Sequence, residues 1–280
     1  MTEVHRIEST VGETPVNAYL IEGEDQLVAV DGTLTVSGGR SIAERIEALG
    51  KPLAAAVVTH AHPDHYGGVV EFAGGPDATI LATKGVDSVI RRDDEIKEEI
   101  LRPMFDQEWP AERAFPTRIV DGGSELSFGD IELTVQDLGP GESPHDSIWF
   151  LGEGRGEVFS GDQGYNHMHG YLADGYWEEW LANIERLRSE LSTDAVLHVG
   201  HGDPASTEVL DWERSYIERF LEAVRGADWE DTETAKTAVS DAMGAFLENQ
   251  DLRFLMELSI EPVAAKLGLT AGRAGEGGRQ

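Results

Sequence analysis

Short apolar runs alternate with amphipathic segments along the first two thirds of the chain. Apolar positions three and four residues apart predict helices at 41–49 and 177–191, and Gly50 and Pro52 end the first of these. Runs rich in Val, Ile and Leu predict strands. The predicted strands are 17–22, 26–31, 54–59, 79–83, 131–135, 147–151, 157–160 and 195–199. Strands and helices in alternation favour an α/β fold.

Three further regions differ from this alternation. Residues 87–115 have a polar helical pattern punctuated by aromatic residues, which is typical of an insertion or a lid. The apolar positions in residues 207–270 have near-helical spacing, which predicts a helical extension. Its apolar residues either pack on the main domain at 1–206 or form a homodimer interface. Residues 271–280 are rich in glycine, and we expect a disordered tail there.

The charge of the chain limits its partners. Among 280 residues, 53 are acidic and 22 are basic, which gives a net charge of −31. Such a surface repels phosphates, so we expect neither nucleic acid nor a membrane as a partner. The acidic residues are scattered, as in cytoplasmic proteins of salt-accumulating halophiles, where concentrated salt screens the repulsion; an acidic protein of a low-salt cell is the alternative.

The absence of targeting segments and of cysteine bears on the compartment of the protein and on the atoms that could bind a metal. The sequence has no long apolar span and no secretory signal at its start, so we expect a cytoplasmic protein. It contains no cysteine, which excludes disulfides and thiolate ligands. A bound metal would therefore be held by nitrogen and oxygen atoms.

A cluster of polar residues follows the predicted strand at 54–59 directly. It contains His60, His62, Asp64 and His65 within six residues. Side chains two apart in an extended segment point to the same side, and the last two stand where the chain turns and could reach a second metal. Imidazole and carboxylate groups suit zinc, iron or manganese. A polar surface turn is the alternative, and the strand-to-loop context disfavours it.

The segment at 59–65 resembles the signature of the metallo-β-lactamase superfamily. Other motifs of that family are matched in order by Val30-Asp31-Gly32, Ser160-Gly161-Asp162 and Val199-Gly200-His201-Gly202. The resemblance covers residues 14–204 and implies an αββα sandwich with one or two metal ions at its edge. It also implies that Asp162 bridges two metals, that His201 is a further ligand, and that Asp31 fixes a ligand histidine.

The third motif of the family departs from its usual form. The family commonly has a Gly-His-Thr-type loop, whereas residues 139–147 read GPGESPHDS. Alignment of the flanking residues places Glu142 at the ligand position, and some relatives, including alkyl sulfatases, are similar in using Glu there. His145 could substitute for it, and if neither residue binds, the site holds one metal. We favour Glu142.

Residues beyond Asp162 are candidates for catalysis. Some lactonases of the superfamily have a tyrosine at the position of Tyr165, which donates to a substrate oxygen. His169 lies four residues further on, and Tyr165 or His169 could protonate the leaving group. A hydrogen-bonded loop is the alternative for His169. Asp64 would hold the second metal and orient the nucleophile.

The resemblance implies a metal-dependent hydrolase acting on a small molecule. Two divalent metal ions, which we expect to be zinc with manganese or iron as alternatives, would lower the pKa of a bound water to generate hydroxide. Lactones, thioesters, and sulfate or phosphate esters are all compatible, because the fold does not select the substrate. The alternative is a mononuclear iron oxidoreductase of the persulfide dioxygenase type. A scaffold without metal is disfavoured by the intact ligand set.

Replacement of Glu142 by alanine is expected to lower the number of metal ions bound per chain, because it removes the third-motif ligand. Elemental analysis of the purified protein measures this number. His145→Ala tests the competing position and should leave the metal content unchanged. The reverse pair of results would transfer the ligand role to His145.

Overall fold

Two six-stranded sheets lie face to face in the computed structural model, which describes residues 2–11, 14–75 and 77–270. In the first sheet the strands follow chain order, and they are antiparallel up to β3 and parallel from there on. These strands are β1 (Glu3–Val11), β2 (Thr14–Glu22), β3 (Leu27–Val30), β4 (Leu53–Val57), β5 (Ile80–Thr83) and β6 (Arg118–Val120).

The second sheet has the order β12-β11-β10-β9-β8-β7, and its β10–β11 pair is parallel while its other pairs are antiparallel. Its strands are β7 (Glu125–Phe128), β8 (Ile131–Gly139), β9 (Asp146–Leu151), β10 (Glu157–Tyr165), β11 (Val196–His201) and β12 (Ala205–Ser206). Parallel strands carry their carboxyl ends to the same edge, so β10 and β11 both end where the predicted ligands Asp162 and His201 stand.

Helices cover the outer face of each sheet. Over the first sheet lie α1 (Val36–Leu49), α2 (Pro63–Tyr66), α3 (Val70–Ala73) and α4 (Lys84–Phe105). Over the second lie α5 (Trp177–Glu190), α6 (Glu208–Gly226), α7 (Thr232–Phe246) and α8 (Arg253–Lys266). The layers are therefore αββα with added C-terminal helices, as predicted. Among the described residues, no helix is both long and apolar enough to pass through a bilayer.

Alternation along the strands builds the apolar core. In β2, Tyr19 and Ile21 face the second sheet, whereas Ala18 and Leu20 face the helices. The layer between the sheets is filled by side chains from both, including Trp149 of β9. Because strands covered on both faces bury nearly every residue, the central strands are continuous apolar runs, and these runs are what made them visible in the sequence.

Two local differences from the sequence prediction have physical reasons. β1 was not predicted, because it lies at a sheet edge and six of its nine positions are charged or polar. Helix α1 begins at Val36, five residues before the predicted start, with Thr35 accepting a cap hydrogen bond from the N–H of Gly38. A Cβ at Gly38 would lie 2.4 Å from the Thr33 hydroxyl oxygen, so this helix turn packs too closely for other residues.

The C-terminal helices share an apolar cluster with the second sheet. Met243, Met256, Ile260 and Val263 are fully buried in the cluster that also contains Trp177. These residues pack on the sandwich rather than forming a free surface. A homodimer through the remaining exposed residues stays a prediction, and the expected tail at 271–280 lies outside the described residues.

The melting temperature of the protein is expected to rise by at least about 5 °C between ~0.1 M and ~2 M KCl. Excess negative charge destabilises the folded chain, and the screening length falls from about 10 Å to about 3 Å as salt approaches 1 M. Calorimetry measures the melting temperature, and sucrose at equal osmolality serves as the uncharged control. An unchanged value in KCl would argue against adaptation to concentrated salt.

Candidate metal centre

The loop after β4 is fixed between the two sheets. His60 forms an isolated bridge with Asp146, and the Ser147 N–H and hydroxyl donate to the Thr59 carbonyl at 2.9 and 2.7 Å. Pro63 then starts α2, where its missing N–H costs nothing. The loop is therefore held by backbone contacts that do not depend on a ligand.

Seven predicted ligands meet at the end of the loop and form two adjacent groups. Within each group, the nitrogen and oxygen atoms offered lie within 4.8 Å of one another. The first group consists of His60, His62, Glu142 and Asp162. The second consists of Asp64, His65 and His201. The structure thus brings together every metal ligand that the sequence predicted.

Asp162 joins the two groups. One of its carboxylate oxygens lies 3.1 Å from His201 Nε2 and 3.8 Å from His60 Nε2, and the other lies 3.4 Å from His65 Nε2. Glu142 Oε2 lies 2.9 Å from His62 Nδ1 and 3.6 Å from His60 Nε2. A bridging carboxylate between two groups of ligands is the arrangement expected for a site with two metal ions.

Several buried atoms in this cluster have no hydrogen-bond partner among the described residues. They are His60 Nε2, His65 Nε2 and Asp162 Oδ1. Leaving buried polar atoms unpaired is costly, and divalent cations held by the two groups of ligands would satisfy all three. The donor set, all nitrogen and oxygen, therefore fits zinc, manganese or iron.

Space for a cation depends on a glycine opposite Asp162. A Cβ at Gly200 would lie 1.9 Å from Asp162 Oδ1 and 2.7 Å from His65 Cε1. Any side chain at this position would enter the cluster. Gly200, the penultimate residue of β11, is thus constrained by the neighbouring ligands and not by the strand.

Each imidazole turns one nitrogen toward the cluster and the other toward an oxygen of the protein. This arrangement fixes the orientation of each ring and the nitrogen available to a metal. The outer contacts are His60 Nδ1 to Thr59 Oγ1 (3.0 Å), His62 Nε2 to Asp174 Oδ2 (3.0 Å), His65 Nδ1 to Asp31 Oδ2 (2.8 Å) and His201 Nδ1 to Pro15 O (2.5 Å).

Asp31 occupies the position that the sequence predicted for a residue that fixes a ligand. Besides His65, its carboxylate accepts hydrogen bonds from the Thr59 N–H and hydroxyl, both at 2.8 Å. Its backbone has a φ of 60°, which is unusual for a residue other than glycine. Asp31 therefore links the end of β3 to both the loop and a ring of the cluster.

Asp174 was not predicted from the sequence. It lies in the loop before α5, next to Gly175, and this Asp-Gly pair indicates only a turn. Two contacts from α8 hold the loop: Ser259 Oγ accepts from the Leu172 N–H at 2.8 Å, and Lys266 Nζ donates to the Gly175 carbonyl at 2.5 Å. The C-terminal helix thereby supports the residue that orients His62.

Carboxylates dominate the electrostatics of the cluster. Burial alone would lower the pKa of His201, but Asp162 and Asp64 outweigh it and raise the pKa to about 10. The pKa of His65 is likewise raised against its burial, by Asp162 and Asp31. His60 is the exception, because burial and the neighbouring His65 hold its pKa well below the ordinary value. Without a metal, the cluster therefore retains protons on His65 and His201 at neutral pH.

Tyr165 lies within the cluster. Its hydroxyl oxygen lies 2.9 Å from Glu142 Oε1 and 2.8 Å from Asp162 Oδ2, so its one proton is shared between the two carboxyl groups, and its ring stacks parallel to His201 with centroids 4.9 Å apart. Its backbone N–H donates to the buried Glu213 carboxyl at 2.8 Å. Burial, reinforced by Asp162, raises the pKa of this phenol well above its ordinary value. Tyr165 therefore remains a proton donor.

The structure does not bring His169 or His145 to the cluster. His169 is buried beside Tyr216, whose hydroxyl lies 3.1 Å from its Nδ1, and it is absent from the described wall of the neighbouring cavity. His145 lies 2.6 Å from Asp137, outside both groups of ligands. The loop alternative weighed for His169 agrees with its contacts, and Glu142 occupies the third-motif position.

Comparison with known proteins identifies the family. The model of the metallo-beta-lactamase superfamily matches residues 11–201. The chain belongs to this superfamily. Among solved structures, a metallo-beta-lactamase from Pontibacter korlensis aligns with a TM-score of 0.59 at 18% identity, over 78% of this chain and 94% of that one. The DIM-1 metallo-beta-lactamase aligns with a TM-score of 0.61 at 16% identity, over 77% and 92%. At these identities the structures establish the fold alone.

Two curated relatives are more similar in sequence. Acyl-coenzyme A thioesterase MBLAC2 of Bos taurus is 31% identical over an alignment of 189 residues that covers 59% of this chain and 61% of that protein. The uncharacterized protein YobT of Bacillus subtilis (strain 168) is 28% identical over 151 residues, which are 53% of this chain and 61% of that protein. The chain thus matches about three fifths of the length of each.

A cavity of about 460 Å³ opens beside the superfamily's metal motif. Its inner wall includes His62, Asp64, Asp162, Tyr165 and His201. This volume is in the range of small-molecule sites. The cluster is therefore accessible to a substrate of modest size.

Lys97 of α4 was also missed by sequence reasoning. It lines the same cavity and donates to the Ala61 carbonyl between two ligand histidines. Burial lowers its pKa. Phe105 of the same helix lines the cavity, whereas Trp177 and Trp180 of α5 lie in the core.

Zinc affinity is expected to increase with pH by about tenfold per unit for each proton displaced, between pH ~6 and ~9. His201 has a pKa of about 10 without metal, so throughout this range it must lose a proton to coordinate. Titration calorimetry in buffers of different ionisation enthalpy measures the proton release.

The variant His145→Ala, altered outside the cluster, should release the same number of protons as the unaltered protein. Heats that do not depend on the buffer, together with an affinity that does not change with pH, would contradict the charge state described for the cluster.

Proposed function

We propose that this protein is a metal-dependent hydrolase that cleaves an ester-like bond in a small molecule. The observation that carries the proposal is the convergence of seven nitrogen and oxygen ligands, in two groups joined by Asp162, on the wall of a cavity. Membership of a superfamily whose curated relatives include a thioesterase supports it.

His60, His62, Glu142 and Asp162 would hold one metal ion, and Asp64, His65 and His201 would share Asp162 in holding a second. When bound, two divalent ions supply a water of lowered pKa as nucleophile and polarise the oxygen that gains charge. The protein's own contribution is to keep the rings in one orientation, because each outer nitrogen is already engaged.

Tyr165 is the chain's best-placed proton donor. Its phenol stays protonated, lines the cavity and lies within hydrogen-bond distance of two cluster carboxylates. A substrate oxygen at the cluster could accept from the same hydroxyl, which would assist departure of the leaving group. His169 has no contact of this kind among the described residues, so the proposal assigns the role to Tyr165.

Lys97 and Asp64 complete the polar part of the cavity. Lys97 Nζ uses one of its donors on the Ala61 carbonyl, which leaves others for an oxygen that gains negative charge. Asp64 is the cluster carboxylate with the greatest exposure, and it would orient the nucleophile from the cavity side. Asp64 would thus act on the nucleophile, and Lys97 would stabilise the negative charge that develops on the substrate oxygen.

Thioesters are the first substrate class to test, because a relative at 31% identity is named as an acyl-coenzyme A thioesterase. Lactones, sulfate esters and phosphate esters share the same requirement for a metal-activated water. Zinc is the proposed metal, with manganese or iron as alternatives, and the acidic surface supports a salt-rich cytoplasm as the working environment.

The test is a substrate screen of the purified protein in concentrated salt, after removal of metal by a chelator and reloading with zinc, manganese or iron(II). We expect hydrolysis of one ester class, lost without metal, and about two zinc ions per chain. His62→Ala should lower the rate by more than about a hundredfold. The matched control His145→Ala should retain it.

Another outcome would favour the oxidoreductase alternative. A single iron per chain, with oxygen uptake on a persulfide and no hydrolysis of any ester class, would overturn the proposed function.

A further inference from the structure

Large apolar side chains that stand exposed are concentrated at one place on this acidic protein. Six are exposed in the described part of the chain, and five of these line the cavity beside the cluster. The five are between 42% and 58% exposed. They are Ile96, Ile100, Met104, Phe254 and Leu258. Contiguous exposed apolar surface marks a binding site more often than an isolated residue does.

The five residues form two facing walls. Ile96, Ile100 and Met104 are spaced four apart on α4, so they share one face of the helix over about 12 Å. Phe254 and Leu258 are spaced four apart on α8. Leu101 and Leu255 add to the same lining. The cavity is therefore a groove between two helices from distant parts of the chain.

This groove is continuous with the candidate metal centre. The same cavity is lined by His62 and Tyr165 of the cluster. Its charged residues lie at that end, where Lys97 contacts the Ala61 carbonyl and Asp174 contacts His62. A ligand occupying the whole cavity would thus be polar at one end and apolar along the rest.

We propose that the groove between α4 and α8 binds a straight aliphatic acyl chain, with the acyl carbon held at the cluster. The proposal rests on the proposed function for the bond that is broken: water adds its hydroxyl to the acyl carbon and its remaining proton to the leaving group. Binding of the chain itself does not require turnover, so it is testable separately.

A second copy of the protein is the competing occupant, and two observations disfavour it. Each copy carries a net charge of −31, and the flank of α4 beside the apolar stripe carries Glu95 and Glu99, while Asp94 and Glu98 pair with Arg113 and Arg102; at low ionic strength two such copies repel one another. A copy seated on the groove would also close the mouth of the cavity that leads to the cluster. An acyl chain fills the groove without either consequence.

The first experiment measures binding of butanoate, hexanoate, octanoate and decanoate to the purified full chain by calorimetry in concentrated salt. The carboxylate is common to the series, so its contribution cancels in the comparison. We expect affinity to rise about twofold to fourfold per added methylene until the groove is filled. Equal affinities across the series would overturn the proposal.

Variants locate the binding surface. Ile100→Asn and Leu258→Asn change half-exposed side chains on opposite walls, and each should reduce the ratio of decanoate to butanoate affinity at least about fivefold. The matched control is Ile119→Asn, which alters the sixth exposed residue, on β6 and outside the cavity lining. It should leave the ratio unchanged. An equal loss in the control would contradict the assignment.

Two further measurements distinguish failure of the acyl-chain proposal from failure of the proposed hydrolase function. Chain-length-dependent binding without hydrolysis of any ester would support the groove and refute the proposed function. Hydrolysis with a kcat/KM independent of chain length would support the function and refute the groove. Ultracentrifugation reports the remaining case, because a dimer that Ile100→Asn dissociates, with no chain-length dependence, would make this face a subunit interface.

Discussion

The carboxylate of Asp162 is the contact on which the arrangement of this site depends. It stands within 4 Å of three imidazole nitrogens, two from the loop at 59–65 and one from the end of β11. Buried groups of this kind are costly unless they are neutralised, and the surrounding structure does not neutralise them fully. The fold instead fixes the outer nitrogen of each imidazole ring through an oxygen of the protein. These oxygens belong to Thr59, Asp174, Asp31 and the Pro15 carbonyl. The stability of the sandwich elsewhere is what permits this unsatisfied cluster to persist at its edge.

The sequence predicts this site well where the information is local. His60, His62, Asp64 and His65 stand within one short segment, and buried strands appear as apolar runs, so the fold and the ligands were accessible together. Glu142 was predicted only by alignment of the residues around it, and the structure places it in the cluster.

Contacts between distant segments left no signal in the sequence. Asp174 and Lys97 have ordinary neighbours, and each gains its position through tertiary packing against the loop at 59–65. His169 shows the opposite error. It was a candidate proton donor because it follows Tyr165 by only four residues, but the loop turns through His167, whose φ is 55°, and carries His169 under the C-terminal helices. Backbone direction within a loop is not encoded by spacing alone.

Helix α8 contains none of the motifs that are shared with the superfamily, and it lies beyond the matched residues 11–201. One side of it braces the loop that carries Asp174, through Ser259 and Lys266, and another side forms a wall of the groove. Divergence in this helix would consequently alter two traits together, the retention of metal and the range of substrates. Among relatives with the same metal motifs, metal retention and substrate range should therefore vary together with the sequence of the helical extension.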